Sequence, residues 1–171
     1  MRKYSVVFLV LLIVSPLVFI GCPNGLEPLL PLESHEVRAT IADYGQFDSK
    51  DATGALQDGN YILKAPILGT SGSDTMVITL LIPAKTQTPY TVDVASDPAA
   101  VIDYCVQQSL GTCIDYDARQ GLGSGSITVN SVTSGTSGQI VEGTFSGTLV
   151  ANNGSGDKKY ITNGEFKVVV N

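Results

Sequence analysis

Histidine and tryptophan are almost absent from this sequence, which limits the chemistry it can perform. The 171 residues include no tryptophan and a single histidine, His35. Serine and cysteine nucleophiles need a neighbouring base, most often histidine, and His35 falls in a segment that we expect to be a solvated tether. The motifs G-x-S-x-G and C-x-x-C are absent as well. The usual nucleophilic triad is therefore excluded, and we expect the protein not to be an enzyme.

Basic residues are also scarce. Ten Lys and Arg residues stand against 16 Asp and Glu residues, and the formal net charge is −6. Without Arg2 and Lys3 it becomes −8. An acidic chain with no basic run has no electrostatic footprint for nucleic acid or for an anionic membrane surface, so we expect neither partner.

The one long apolar run lies near the N-terminus and is short for a membrane span. Residues 6–20 are apolar but for Ser15 and Pro16, whereas a transmembrane helix needs about 20 such residues. A basic head, this run and Gly21 predict a cleaved signal peptide over residues 1–21. The cysteine that follows, Cys22, makes the site resemble the lipobox of bacterial lipoproteins, which implies a lipid on Cys22. An ordinary cleaved signal with a free Cys22 and an uncleaved anchor remain as alternatives.

Residues 22–36 are predicted to be the lipidated cysteine and a tether, because Pro23, Pro28 and Pro31 interrupt any regular element. Residues 37–171 are predicted to form one domain, which is long enough to bury a core. Pro23 and not Asp follows the cysteine. By resemblance to lipoprotein sorting in diderm bacteria, this implies the outer membrane, with the face of that membrane left open.

Helix is expected to be scarce in the domain. The chain has 18 glycines, 16 of them in residues 37–171, and these with many Thr, Ser and Val residues favour strands joined by tight turns. Period-two runs predict about eight or nine strands in an all-β, antiparallel two-sheet sandwich, with an open β-barrel as the alternative. The predicted strands cover residues 37–47, 60–68, 75–83, 90–94, 102–106, 113–118, 124–132, 140–150 and 158–170.

The last two predicted strands have the clearest pattern. Residues 141–149 alternate between an apolar face that includes Phe145 and a polar face that includes Thr144. Phe166 alternates with Lys167 in the same way, and a turn-forming segment rich in Asn and Gly separates the two strands. We predict a hairpin with both phenylalanines in the core, and glycines beside Phe145 that make room for an aromatic ring.

Cys105 and Cys113 remain once Cys22 is assigned to the lipid. In an exported protein an even remainder predicts a disulfide. Two reduced thiols, or a metal or redox site, are the alternatives. No His or further Cys lies nearby to complete a tetrahedral shell, so we predict no metal and no cofactor.

Asp103, Asp115 and Asp117 lie near these cysteines. Paired carboxylates support glycoside hydrolysis, and carboxylate oxygens also bind Ca²⁺, although the D-x-[DN]-x-[DN]-G loop is missing. The alternative interpretation is a solvated disulfide hairpin. The glycine-rich residues 121–126 precede a strand and not a helix, so we expect a turn and no phosphate site. Six tyrosines offer flat faces for a sugar: Tyr44, Tyr61, Tyr90, Tyr104, Tyr116 and Tyr160.

The C-terminal half resembles a known group of proteins. Its segments G-S-I-T-V, V-E-G-T-F-S-G-T-L and Y-I-T-N-G-E-F-K-V are similar to small β-rich lipoproteins of Bacteroidota-type bacteria. The resemblance implies a fold and a compartment but no activity. We therefore expect a lipid-anchored envelope protein that acts as a non-catalytic binding or structural module for a carbohydrate or an envelope protein. A small envelope hydrolase with paired carboxylates is the alternative.

Overall fold

The computed structural model describes residues 32–68, 75–107 and 113–171, all within one compact unit. These residues contain strands and no helix, and hence no helix long and apolar enough to cross a membrane. The all-β prediction is confirmed. The eleven strands are β1 Glu36–Ile41, β2 Gly45–Ser49, β3 Thr53–Gln57, β4 Asn60–Leu68, β5 Thr75–Pro83, β6 Tyr90–Asp93, β7 Val101–Gln107, β8 Cys113–Ala118, β9 Ser124–Gly135, β10 Gly138–Ala151 and β11 Lys158–Val170.

The strands form one hydrogen-bonded sheet, which we describe as two layers because only two short pairings join them. One layer has the order β2-β1-β11-β10-β9-β6, and the other has the order β3-β4-β5-β7-β8. Two corners join them, where Val150 and Ala151 of β10 pair with β8 and where Val170 of β11 pairs with β3. The β11–β3 pairing is parallel, and every other pairing is antiparallel. Because the corner pairings are so short, the sheet is not a regular barrel.

The core lies between the layers. Alternate residues of β5, β7, β10 and β11 are buried, as the period of two requires for strands with one covered face. Ile102 of β7 reaches across to the opposite layer, where its Cδ1 atom would lie 3.1 Å from a Cβ added at Gly125. The two layers therefore pack directly on each other.

The β10–β11 hairpin has the predicted register. Phe145 and Phe166 are both buried, and their ring centroids are 6.4 Å apart. Each ring lies opposite a glycine of the partner strand, because Phe166 pairs with Gly143 and Phe145 pairs with Gly164. A Cβ at Gly143 would lie 2.6 Å from Phe166 Cζ, and one at Gly164 would lie 2.7 Å from Phe145 Cδ1. The prediction that glycine makes room for an aromatic ring is confirmed at Gly143, and Gly164 extends it.

Three details of the predicted strands were wrong. Residues 37–47 form a hairpin and not one strand, because Asp43 and Gly45 adopt positive φ angles and turn the chain between β1 and β2. The exposed strand β3 was not predicted. The strand β5 is central, as predicted, but its second face is half-buried and not covered.

The proline in β4 occupies a local edge, as predicted. Strand β3 pairs with β4 only as far as Lys64, so Pro66 has no β3 residue beside it. The hydroxyl of Ser49 donates a hydrogen bond of 2.6 Å to the Pro66 carbonyl oxygen, which satisfies an acceptor that the sheet leaves free.

The first described residues contact the sheet. Glu36 begins β1, is buried, and forms ion pairs with Arg38 and Lys50. Hydrogen bonds from the Glu33 amide and from Arg38 outweigh the effect of burial and hold the pKa of Glu36 below its usual value. His35 is exposed, and its Nδ1 atom lies 3.0 Å from the Ala52 carbonyl oxygen, to which it donates.

Candidate functional site

The β7–β8 hairpin brings the three predicted carboxylates together. Asp103 lies directly opposite Asp117 in the ladder, and Asp115 lies opposite Cys105. These residues alternate with Tyr104 and its neighbours, which point into the core, so the carboxylates share the outer face of the hairpin. Directly opposed residues have Cβ atoms about 4.5–5.5 Å apart, a separation at which two carboxyl groups interact strongly.

The two cysteines of the hairpin are joined by a disulfide, with Cα atoms 5.8 Å apart. They lie on the same outer face as the carboxylates. Cys113 pairs with Gln107 and Cys105 with Asp115, so the disulfide crosses the ladder diagonally at the loop end of the hairpin. Residues 108–112, which complete the loop, lie outside the described residues. So does Cys22, and its lipidation stays a prediction.

The charges of the cluster are unevenly compensated. Arg119 Nη2 lies 3.0 Å from Asp117 Oδ2, and this ion pair neutralises the most buried of the three acids. Burial, the hydrogen bond with Asp117 and the negative charge of the other acids raise the pKa of Asp103 to about 7, while Arg119 acts in the opposite direction.

Arg119 was not predicted as part of this cluster. A signal for it exists in the order Asp117-Ala118-Arg119, because residues two apart in a strand point to the same face. Asn152 was also missed, since it is distant in sequence and reaches Asp115 only after β10 turns the corner into β8. Its backbone amide donates to the Asp115 carbonyl oxygen at 3.0 Å, and its side-chain Nδ2 lies 3.4 Å from Asp115 Oδ2.

The tyrosines do not form one platform. Tyr61, Tyr104 and Tyr116 are buried, and Tyr90 is half-buried with its hydroxyl donating to the Pro83 carbonyl oxygen at 2.9 Å. Of the tyrosines in the described residues, only Tyr44 and Tyr160 present large exposed areas, with 43% and 50% of their surface accessible. Both lie near one end of the β1–β11 pairing, where the Ala42 amide donates to the Tyr160 carbonyl oxygen at 2.9 Å.

The glycine-rich segment forms a turn, as expected. The backbones of Arg119 and Leu122 exchange two hydrogen bonds of 2.7 and 2.8 Å, and Gly121 and Gly123 have positive φ angles. The chain continues into β9 and not into a helix, so this segment does not offer the helix N-terminus that a phosphate loop requires.

Two shallow depressions lie elsewhere on the described surface. One, of about 490 Å³, is polar and lies beside β6; Lys85, Asp93 and Asp97 line it. Its two carboxylates accept hydrogen bonds from backbone amides of their own turns. The other, of about 380 Å³, lies beside Leu56 at the corner between β3 and β11. Neither depression includes Asp103, Asp115 or Asp117.

Comparisons of this chain with protein families, with curated proteins and with solved structures find no match.

Proposed function

We propose that the protein is a lipid-anchored protein of the cell envelope, in the outer membrane, whose β domain is a non-catalytic binding or structural module. The signal-like segment that ends at Cys22 supports the anchor. The resemblance to small β-rich lipoproteins of Bacteroidota-type bacteria supports the same compartment.

The arrangement of the acid cluster carries the non-catalytic part of the proposal. Asp117 is paired with Arg119, and Asp115 is held by Asn152, so two of the three carboxylates have structural partners. The three acids share the outer face of the hairpin, where Asp117 is buried and Asp103 and Asp115 are half-buried. The single histidine, His35, lies just before β1. Its Nδ1 atom donates a hydrogen bond to the Ala52 carbonyl oxygen and not to an acid of the cluster.

The anchor is tested by metabolic labelling with an alkyne fatty acid. We expect the wild-type protein to be labelled, and Cys22→Ser to abolish the label and to release the protein or leave an unprocessed precursor. Labelling of Cys105→Ser/Cys113→Ser should be unchanged, since that variant keeps Cys22. An unlabelled wild-type protein would overturn the anchor.

The exposed tyrosines support a carbohydrate as the ligand. Tyrosine presents a flat apolar face with a polar edge, which suits a sugar ring, and Tyr44 and Tyr160 have these faces accessible. Affinity electrophoresis through gels that contain envelope polysaccharides tests this. Tyr44→Ala and Tyr160→Ala should reduce the retardation, while Leu56→Ala, a matched exposed apolar residue elsewhere, should not. A wild-type protein that no polysaccharide retards would leave an envelope protein as the proposed partner.

One observation favours the alternative, a small hydrolase with paired carboxylates. A general acid must hold its proton near neutral pH, and the pKa of Asp103, at about 7, meets that requirement beside Asp117. Turnover of a panel of chromogenic glycosides tests this function. Asp103→Asn and Asp117→Asn should abolish any turnover, and Asp157→Asn, an exposed acid in the β10–β11 turn, should preserve it. No turnover by the wild-type protein would exclude these substrates and favour the binding module.

A further inference from the structure

Three groups that commonly bind metals converge at the loop end of the β7–β8 hairpin. The Sγ atoms of Cys105 and Cys113 and a carboxylate oxygen of Asp115 all lie within 4.8 Å of one another. The ladder explains this convergence, because Asp115 is the cross-strand partner of Cys105 and lies two residues after Cys113 on the same face. Thus the three side chains occupy adjacent positions on one surface.

We propose that reduction of the Cys105–Cys113 disulfide turns this end of the hairpin into a site for a thiophilic divalent cation such as Zn²⁺. The ligands would be the two thiolates and the Asp115 carboxylate, with a water molecule in the fourth position. Three protein ligands and one open position is a common arrangement for zinc, and thiolates select it over the hard cations Ca²⁺ and Mg²⁺. The disulfide form offers no thiolate, so the site exists only in the reduced protein.

The reaction is balanced with a dithiol as the reductant. Two thiols of the reductant give up two electrons and two protons and become a cyclic disulfide, while the Cys105–Cys113 bond breaks and each sulfur gains a proton. When Zn²⁺ binds, each thiol releases that proton to solvent and forms a bond to the metal.

The positions of the cysteines do not depend on the disulfide alone. Backbone pairing of β7 with β8 extends to Val106↔Ile114 and Gln107↔Cys113, and β7 is also paired with β5 along its length. The ladder therefore keeps the two Cα atoms close after reduction. Zinc lies about 2.3 Å from each sulfur, so the sulfurs would need to separate only to about 3.8 Å, which side-chain rotation provides.

The surroundings of Asp115 suit a ligand. Its Oδ1 atom lies 2.9 Å from Cys113 Sγ, and its Oδ2 atom lies 3.4 Å from Asn152 Nδ2. One oxygen thus faces the sulfur and the other faces an amide donor, an arrangement in which a neighbouring group orients a metal ligand. Asp103 and Asp117 share the same face and add negative charge, and Arg119 is paired with Asp117, two residues farther along β8 than Asp115.

The test compares reduced and oxidised full-length protein, with Cys22→Ser present in every sample to remove the third thiol. Co²⁺ serves as the spectroscopic probe and Zn²⁺ as its competitor. We expect the reduced protein to bind one equivalent of Co²⁺ with a sulfur-to-metal charge-transfer band, to lose that band when Zn²⁺ is added, and to show no band when oxidised. Equal binding by both forms, or reduced protein without the band, would overturn the proposal.

Variants separate the three ligands from the general acidity of the hairpin. Asp115→Asn should weaken Zn²⁺ binding by the reduced protein about 10-fold or more, and Asp157→Asn should leave it unchanged. Binding unaffected by Asp115→Asn would remove that residue from the site. Tight Zn²⁺ binding by Cys105→Ser/Cys113→Ser would assign the metal to the carboxylates and overturn the proposal. Far-UV circular dichroism of each sample shows whether the sheet persists, and loss of the β signal on reduction alone would also overturn it.

Discussion

Two hairpins of the same sheet are stabilised in different ways. The β10–β11 hairpin buries two phenylalanines, each lying over a glycine of its partner strand. The β7–β8 hairpin also turns aromatic residues inward, with Tyr104 and Tyr116 at 6.2 Å between ring centroids, but its outer face holds a disulfide and three carboxylates. The first hairpin depends on the fit of its apolar face, and the second combines a similar aromatic contact with a covalent link.

The difference indicates which part of the fold can carry functional side chains without disturbing the core. Residues of the β10–β11 hairpin are constrained on the inner face by close packing and pair along nearly the whole length of both strands. On the β7–β8 hairpin the covalent link supports an outer face that carries mutually repelling groups. Like charges placed directly opposite each other destabilise a ladder, so a hairpin that keeps them is a candidate for a role beyond stability.

The largest expected effect is at the phenylalanines. Phe145→Ala and Phe166→Ala should each lower the free energy of unfolding by about 3–5 kcal/mol, against a total of about 5–15 for a domain of this kind. The glycine opposite each ring has no side chain to fill the space, so the cavity should persist and the cost should lie towards the upper end. Urea denaturation monitored by circular dichroism measures it.

Thr144→Ala and Lys167→Ala are the controls for the phenylalanine variants. Both residues lie on the outer face of the same strands, where Thr144 is exposed and Lys167 is half-buried and forms an ion pair of 3.7 Å with Glu142. Exposed pairs contribute about 0–1 kcal/mol. If the polar-face variants proved the more damaging pair, the contrast between the two hairpins would lose its basis.

The contrast between the two hairpins also shows which features could be predicted from the sequence and which could not. Strict alternation around Phe145 and Phe166 was sufficient to predict the strands, the hairpin and the buried face. The β1–β2 turn was missed because Asp43 adopts a positive φ angle that is uncommon for a residue other than glycine, inside an otherwise strand-like run. Strand β3 was missed because its five residues are mostly exposed and do not alternate.

The candidate site was predictable only in part. Two-residue spacing placed Asp115 and Asp117 on one face, and pairing through a short loop brought Asp103 opposite Asp117. The partner of Asp115, Asn152, is 37 residues away and arrives through the corner pairing of β10 with β8, which no local pattern indicates. The count of strands, eleven and not eight or nine, differs for the same local reasons at β2 and β3.

The second prediction concerns the covalent link. Cys105→Ser/Cys113→Ser should lower the free energy of unfolding by about 2–3 kcal/mol, the value that chain entropy gives for a loop of this size, and should not unfold the domain. Hydrogen exchange should accelerate in β8 and remain unchanged in β10 and β11 away from the corner. Complete unfolding of the variant would mean that the hairpin supports the core, and mass spectrometry that found both thiols free in the native protein would refute the pairing.

The smallest expected effect is a change in the pH dependence of stability at Asp103. The pKa of this carboxyl is about 7 in the folded protein, above the ordinary value of 3.8 that applies to the unfolded chain. Between those two values the folded state binds more protons than the unfolded state, so the contribution of Asp103 to stability falls as pH rises from about 4 to 7 and is constant above that.

The variant Asp103→Asn removes this loss. The amide of the new side chain donates a hydrogen bond to Asp117 at every pH, whereas Asp103 donates that bond only while it is protonated, below about pH 7. Melting temperatures from pH 4 to 8 should therefore show a difference between variant and wild type that grows up to about pH 7 in favour of the variant, while Asp157→Asn follows the wild type throughout. A difference that did not vary with pH would mean that Asp103 is ionised over the whole range, and the contrast between the outer faces of the two hairpins would then lose its electrostatic part.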